Sequence, residues 1–352
     1  MKISNLLLAA KILLIFLISS LQVNAEEKAS MIPIKIVVVA MFDSGATTAS
    51  GVGEFNRWVK RTPLEEKLDF HVTGQELRLN RDKGVLGVVT GIGTIKATAT
   101  IMALGLDERF DLSKAYWIIA GIAGIDPAEG SIGSAVWAEW VLDGDLAHQI
   151  DGREIPENWS TGYVPLRRDK PYEGPTPPSS EGYLFQLNPE LTEWAYQLTK
   201  DVKLVDNANM QKLRALYTQH PNAQRPPFVL KGDQLAAMTY WHGEKMNEWA
   251  NDWFSYWTEG KGKFVTSAME DSGTLYSLSN LARVGKVDMN RVLVLRTASN
   301  YSMQYPGATA TQSLNGTGLP PEVSGAGFQP SLEAAYLVGS KVMDALLKDW
   351  KP

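Results

Sequence analysis

The stretch of this chain best equipped for chemistry is a carboxylate on a short turn, Thr266-Ser-Ala-Met-Glu-Asp-Ser-Gly-Thr-Leu275. A helical stretch follows, then the apolar run Val292-Leu-Val-Leu295, which ends in polar Thr297, Ser299 and Asn300. Polar residues at the carboxyl end of a buried strand are where ligands bind in α/β proteins. Glu270 can accept hydrogen bonds from hydroxyls, and the Asn300 amide can both donate and accept. Met269, Glu270 and Asn300 are therefore the first candidates to hold a ligand. Two more carboxylates follow the first apolar run: Asp43 in the small-residue loop 42–53, and Glu54 at the head of the helical-looking Glu54–Lys60. Either could serve as a general base, while Glu54 could instead simply favour a helix N-terminus through its dipole.

These residues need a scaffold, and the sequence supplies an alternating one. Ile34-Lys-Ile-Val-Val-Val-Ala-Met41 is a continuous β-branched run of the kind buried on both faces of a parallel sheet. Residues 84–105 read as strand, glycine turn and Ala/Thr-rich helix. Lys96 stands where G-x-G-x-x-G would need its third glycine, so the turn makes a poor dinucleotide fingerprint. Ala115–Ala120 reads as a strand entering a glycine loop, Gly121-Ile-Ala-Gly124, with another strand over 131–142. That loop offers Gly121 to a second wall of the site. Strands and helices alternating over 34–142 predict an α/β sheet covered by helices on both faces.

From 143 to about 190 the proline- and glycine-rich texture predicts loop, and 189–218 carries a helical pattern. Residues 143–227 thus read as an elaboration on the α/β core. Trp249, Trp253 and Trp257 recur every fourth residue, the spacing of a buried helix face. Tyr240, Trp241 and His242, beside the Lys231-Gly-Asp233 turn, are better placed to stack on a base, which adds Trp241 and Asp233 to the binding candidates.

Composition narrows the class of partner. At 352 residues and 44% apolar content the chain can bury a large core, and a formal charge of −5 leaves no basic footprint for nucleic acid. There is no cysteine, and the four histidines are scattered without metal-ligand spacing, so neither disulfides nor a metal cofactor are expected. Residues 1–25 place Lys2 and Lys11 before the apolar run Ile12–Leu21 and small residues before Glu26, the pattern of a secretory signal peptide. Lys11 limits the uninterrupted apolar run to roughly ten residues, short of the ~20 that span a bilayer. The expectation is a periplasmic protein with one domain over 32–352.

Thr90-Gly-Ile-Gly, Ile119-Ala-Gly-Ile-Ala-Gly-Ile-Asp-Pro127, Lys231-Gly-Asp233, Ala268-Met-Glu-Asp271 and Arg296-Thr-Ala-Ser-Asn300 resemble, in order, the motifs of the nucleoside phosphorylase and nucleosidase superfamily. Ala123-Gly-Ile-Asp-Pro127, Arg153–Tyr163, Asn222–Pro227 and Thr266–Asp271 look more closely like the purine nucleoside permease family, which shares that fold. The resemblance implies a three-layer α/β/α sandwich with a mixed twisted sheet and a purine nucleoside as ligand. It implies that Met269 and Glu270 meet the ribose hydroxyls, and that Asn300 meets the purine, where its amide suits a 6-oxopurine. The superfamily's phosphorylases carry an Arg and a Ser for phosphate in the glycine motif, whereas Ile119 and Ile122 stand here. Phosphate as a co-substrate would then need a site rebuilt from Arg153, Arg167, Arg225 or Lys231. Hydrolysis by water and binding without chemistry are the other two outcomes, the last requiring a membrane transporter as partner. Assembly into a homo-oligomer is compatible with all three.

Overall fold

The computed structural model describes residues 31–43, 53–176, 178 and 184–351, so the expected export segment 1–25 and most of the loop after the first strand lie outside the described residues. In chain order, Ile32–Pro33 (β1) and Ile36–Ala40 (β2) precede the helix Asn56–Arg61 (α1). The strands Glu66–Phe70 (β3), Gln75–Asn80 (β4) and Val85–Val89 (β5) lead to the helix Thr94–Gly105 (α2). Phe110–Asp111 (β6), Tyr116–Ile125 (β7), Ala135–Ala138 (β8) and Trp140–Asp143 (β9) follow. The middle third holds Ala147–Gln149 (β10), Tyr163–Pro165 (β11), Leu184–Gln186 (β12) and the helices Pro189–Thr199 (α3) and Ala208–Arg214 (α4). Val229–Lys231 (β13), Asp233–Ala236 (β14), Glu244–Trp257 (α5), Phe264–Ala268 (β15), Asp271–Arg283 (α6) and Val292–Tyr301 (β16) come next. The helices Ala310–Leu314 (α7), Pro321–Ser324 (α8) and Phe328–Asp349 (α9) close the chain.

β7 is the axis of a twelve-stranded mixed sheet. It runs parallel to β2 along its first half and parallel to β16 over nearly its whole length, and near its end it pairs antiparallel with β15. Side chains alternate faces along a strand, and here both faces are apolar. Val37, Val39, Trp117, Ile119, Val292 and Val294 enter the core beneath α2 and α6, while Ile36, Val38, Ile118, Leu293 and Leu295 enter the core beneath α9 and α3. The three-layer α/β/α sandwich follows from that two-sided burial.

Several expected elements differ in detail. The 121–124 stretch is strand, not a glycine loop. β7 continues through it because β16 pairs on one edge and β15 on the other, and its glycines serve close approach rather than turning. The strand expected over 131–142 is two, β8 and β9, divided at Glu139. β16 runs on past Thr297 to Tyr301, with a register shift between Ala298 and Asn300. The stretch expected as loop carries short strands, and β12 pairs antiparallel with β9 at one edge of the sheet. The tryptophans of α5 are buried together with Phe264 and Leu235.

α2 and α6 pack unusually closely because Gly273 lets them. A Cβ at Gly273 would sit 2.5 Å from both the Thr94 carbonyl and the Thr98 hydroxyl. Gly273→Val should therefore push the two helices apart and cost about 1–3 kcal/mol, read as a lower urea midpoint. An unchanged midpoint would contradict the packing described.

Candidate active site

Parity along β16 sets the chemistry at its end. Val292, Val294 and residue 296 share one face of the strand, so the side chain after two buried valines on that face is a guanidinium, Arg296, only 1% exposed. A buried charge must be paired or it is prohibitively costly. Asp271, at the start of α6, meets it bidentately: Nε donates to Oδ2 at 3.0 Å and Nη2 to Oδ1 at 2.7 Å. Nη2 also donates to Glu270 Oε2 at 3.3 Å, and Nη1 to the Ile122 carbonyl at 3.2 Å. Burial alone would lower the arginine's pKa, but Asp271 and Glu270 outweigh it and hold it above its ordinary value.

Glu54 is the third carboxylate at this guanidinium. Its Oε2 accepts the Met41 N–H and its Oε1 the Ile122 N–H, both at 2.7 Å, so the β2 end and the middle of β7 both hold it. Burial raises its pKa to about 7, against the pull of Arg296 and the two backbone donors. Glu270 is raised too, by burial first, with Arg296 opposing and Asp271 adding. Its Oε1 accepts the Gly93 N–H at 3.1 Å, where Gly93 stands at the head of α2 with φ 96°, a left-handed conformation natural to glycine. Three carboxylates round one guanidinium cannot all stay ionised cheaply. Glu54, pushed to about 7, exchanges its proton near neutrality.

Above this cluster lies a cavity of about 180 Å³. Glu54, Glu270 and Met269 line it together with Ile122 and Met41, and Asn300, Ser299, Ser267, Tyr240 and Trp241 also stand in its wall. The Asn300 side chain accepts from Ser299 Oγ at 2.9 Å and donates to the Tyr301 carbonyl at 3.0 Å, which leaves it one amide hydrogen and a second lone pair.

Five of the expected site residues, Glu54, Met269, Glu270, Asn300 and Trp241, thus meet in one cavity. Gly121 lies beneath it, not on its surface: a Cβ there would fall 2.5 Å from Arg296 Nη1 and 2.7 Å from Glu54 Oε1. Asp233 is placed elsewhere. It is buried behind β9, where it accepts the N–H groups of Trp140 and Lys263 at 2.9 and 2.7 Å and fixes the break between β8 and β9. Asp43 packs against Gly53 and is outside the cavity wall. Of the cations considered for phosphate, Arg153 pairs with Asp151, Lys231 with Glu193, and Arg225 lies over Phe228. None of these, nor Arg167, lines the cavity. Arg296 and Asp271 are the members that motif spacing alone left without a role. A charged residue continuing the buried face of Val292 and Val294 was the available signal.

Comparison with known proteins places the chain by fold and by family. The fold matches futalosine hydrolase of Helicobacter pylori with a TM-score of 0.53 at 13% identity, over 89% of this chain and 98% of that one. It also matches a mutant of the Helicobacter pylori 5′-methylthioadenosine/S-adenosylhomocysteine nucleosidase with 5′-methylthioadenosine in its active site, with a TM-score of 0.51 at 13% identity, over 88% and 99% of the two chains. The chain has the nucleosidase fold. The purine nucleoside permease family model matches residues 33–352, and the chain belongs to that family. A probable purine nucleoside permease of Schizosaccharomyces pombe is 29% identical over 97% of both chains, and the purine nucleoside permease of Candida albicans is 30% identical over 75% of this chain and 64% of that one.

Replacing Arg296 by Met should leave three carboxylates without their cation and destabilise the fold by about 3–5 kcal/mol. Uncompensated carboxylates have raised pKa values in the folded state, and such groups stabilise below the unfolded pKa and lose that contribution as pH rises through the folded one. The deficit against wild type should therefore be larger at pH 8 than at pH 5 in thermal unfolding, and an equal deficit at both would contradict the cluster's role.

Proposed function

We propose that the cavity binds a purine nucleoside and hydrolyses its N-glycosidic bond. The observation that carries this reading is Glu54: a carboxylate in the cavity wall, held by two backbone donors, with its pKa raised to about 7 beside a buried arginine. A general base works best when its pKa lies near the operating pH. Glu270 accepts from the sugar hydroxyls, and Asn300 with Trp241 receives the base. Glu54 takes a proton from water, the water oxygen bonds to the anomeric carbon, and the C1′–N9 bond breaks with its electron pair passing to the purine. The departing base is hydrogen-bonded by the Asn300 amide and takes its proton from solvent. Glu54 and Glu270 favour the positive charge that develops on the sugar ring. Water is the acceptor in this account because, among the described residues, the cavity wall contains no lysine or arginine to hold phosphate.

One observation favours a second reading, capture without chemistry. Asn300 has no acidic proton to give a leaving base, and the family's permease name speaks of uptake. Among the described residues no helix is long and apolar enough to cross a membrane, so uptake would need a membrane partner. In either role the protein is proposed to act in the periplasm after export through residues 1–25.

Hypoxanthine release from inosine decides between the two readings. Hydrolysis predicts a kcat/KM that rises with pH to a plateau, with its limb near pH 7 where Glu54 loses its proton. Glu54→Gln should lower the rate by ~10²–10⁴ while calorimetry still detects inosine binding. Intact inosine at every pH would leave capture as the function.

A further inference from the structure

The ligand cavity does not end at the base. A second cavity, of about 290 Å³, shares Asn300 and Tyr240 with the first. Its walls are mixed: Tyr217, Tyr301 and Tyr305 form a cluster, with Tyr217 and Tyr301 ring centroids 3.9 Å apart and Leu319 beside them, while Gln312, Asn315 and Thr317 give it a polar part. The segment carrying α7 is tied over this cavity by His242 Nε2 and Ser313 Oγ, 3.0 Å apart. With a sugar diol at Glu270 and the base toward Asn300, a group on the polar edge of the base is directed at the two residues that the cavities share. Asn300 retains one donor hydrogen and one lone pair there, since its other two capacities are spent on Tyr301 and Ser299. A purine with a secondary exocyclic amine matches that residue: the ring nitrogen accepts the amide hydrogen, and the single remaining N–H donates to the lone pair.

We infer that the site is built for purine nucleosides whose exocyclic nitrogen carries an apolar aryl or alkyl substituent, the substituent occupying the tyrosine-lined second cavity. This rests on the nucleoside reading above and names the substrate class within it. The Asn300 amide can read a 6-oxo edge or an amine edge, so inosine remains a ligand and the second cavity adds room for a substituent on the amine.

Calorimetry with adenosine, inosine and N6-benzyladenosine tests it on the full-length protein. The substituted nucleoside should bind at least about 10-fold tighter than adenosine, as burial of a few apolar groups gives. Ser324 lines only the second cavity, and Ser324→Phe should remove most of that advantage while adenosine affinity stays close to wild type. If adenosine binds and the benzyl group adds nothing or weakens binding to the wild-type protein, the inference is overturned and the nucleoside reading stands. If Ser324→Phe weakens both nucleosides equally, the substituent does not enter this cavity and the inference is likewise overturned. If no nucleoside binds at all, both fall.

Discussion

One guanidinium balancing three carboxylates is the constraint on which this structure depends. Arg296 is buried away from water, so Asp271, Glu270 and Glu54 must be brought to it from two other parts of the chain. Asp271 and Glu270 come from the start of α6, Glu54 from the segment before α1, and the arginine itself from β16. Each must arrive in register, because removing one partner of a buried charge pair costs far more than a surface contact. The fold is thereby pinned at the place where a ligand would bind.

The same cluster divides its labour. Asp271, bidentate and fully enclosed, is the arginine's counter-ion and has no access to the cavity. Glu270 and Glu54 reach the cavity, and burial pushes both pKa values up. Glu54, raised to about 7, exchanges its proton near neutrality from a position in the cavity wall. Gly121 makes this possible, since any side chain there would occupy the space between Glu54 and Arg296. The glycine acts by omission, clearing the floor of the cavity.

The sheet was legible in the sequence because its strands are apolar on both faces: β2, β5, β7 and β16 are runs that nothing but a covered parallel sheet would bury. The hairpin of β3 and β4 carries charged residues between its apolar ones and gave no comparable signal. The 121–124 glycines were read as a turn because glycine's commonest use is conformational, whereas here they admit neighbouring side chains into a continuous strand. Asp233 is near the aromatic run 240–242 in sequence, but the backbone N–H groups that claim it come from residues 139, 140 and 263, which no local pattern connects. Glu54 and Glu270 are recognisable as acids at element ends, whereas their shared cation follows from β16's parity, which puts residue 296 on the face of Val292 and Val294.

In the proposed reaction this cluster delivers water to the anomeric carbon of a purine nucleoside. The most direct measurement is mass spectrometry of the sugar product after incubation with inosine in phosphate-free water labelled with heavy oxygen. Hydrolysis predicts free hypoxanthine and ribose bearing one labelled oxygen at its anomeric position. Unlabelled, intact inosine after prolonged incubation, with binding shown by calorimetry in the same buffer, would contradict it.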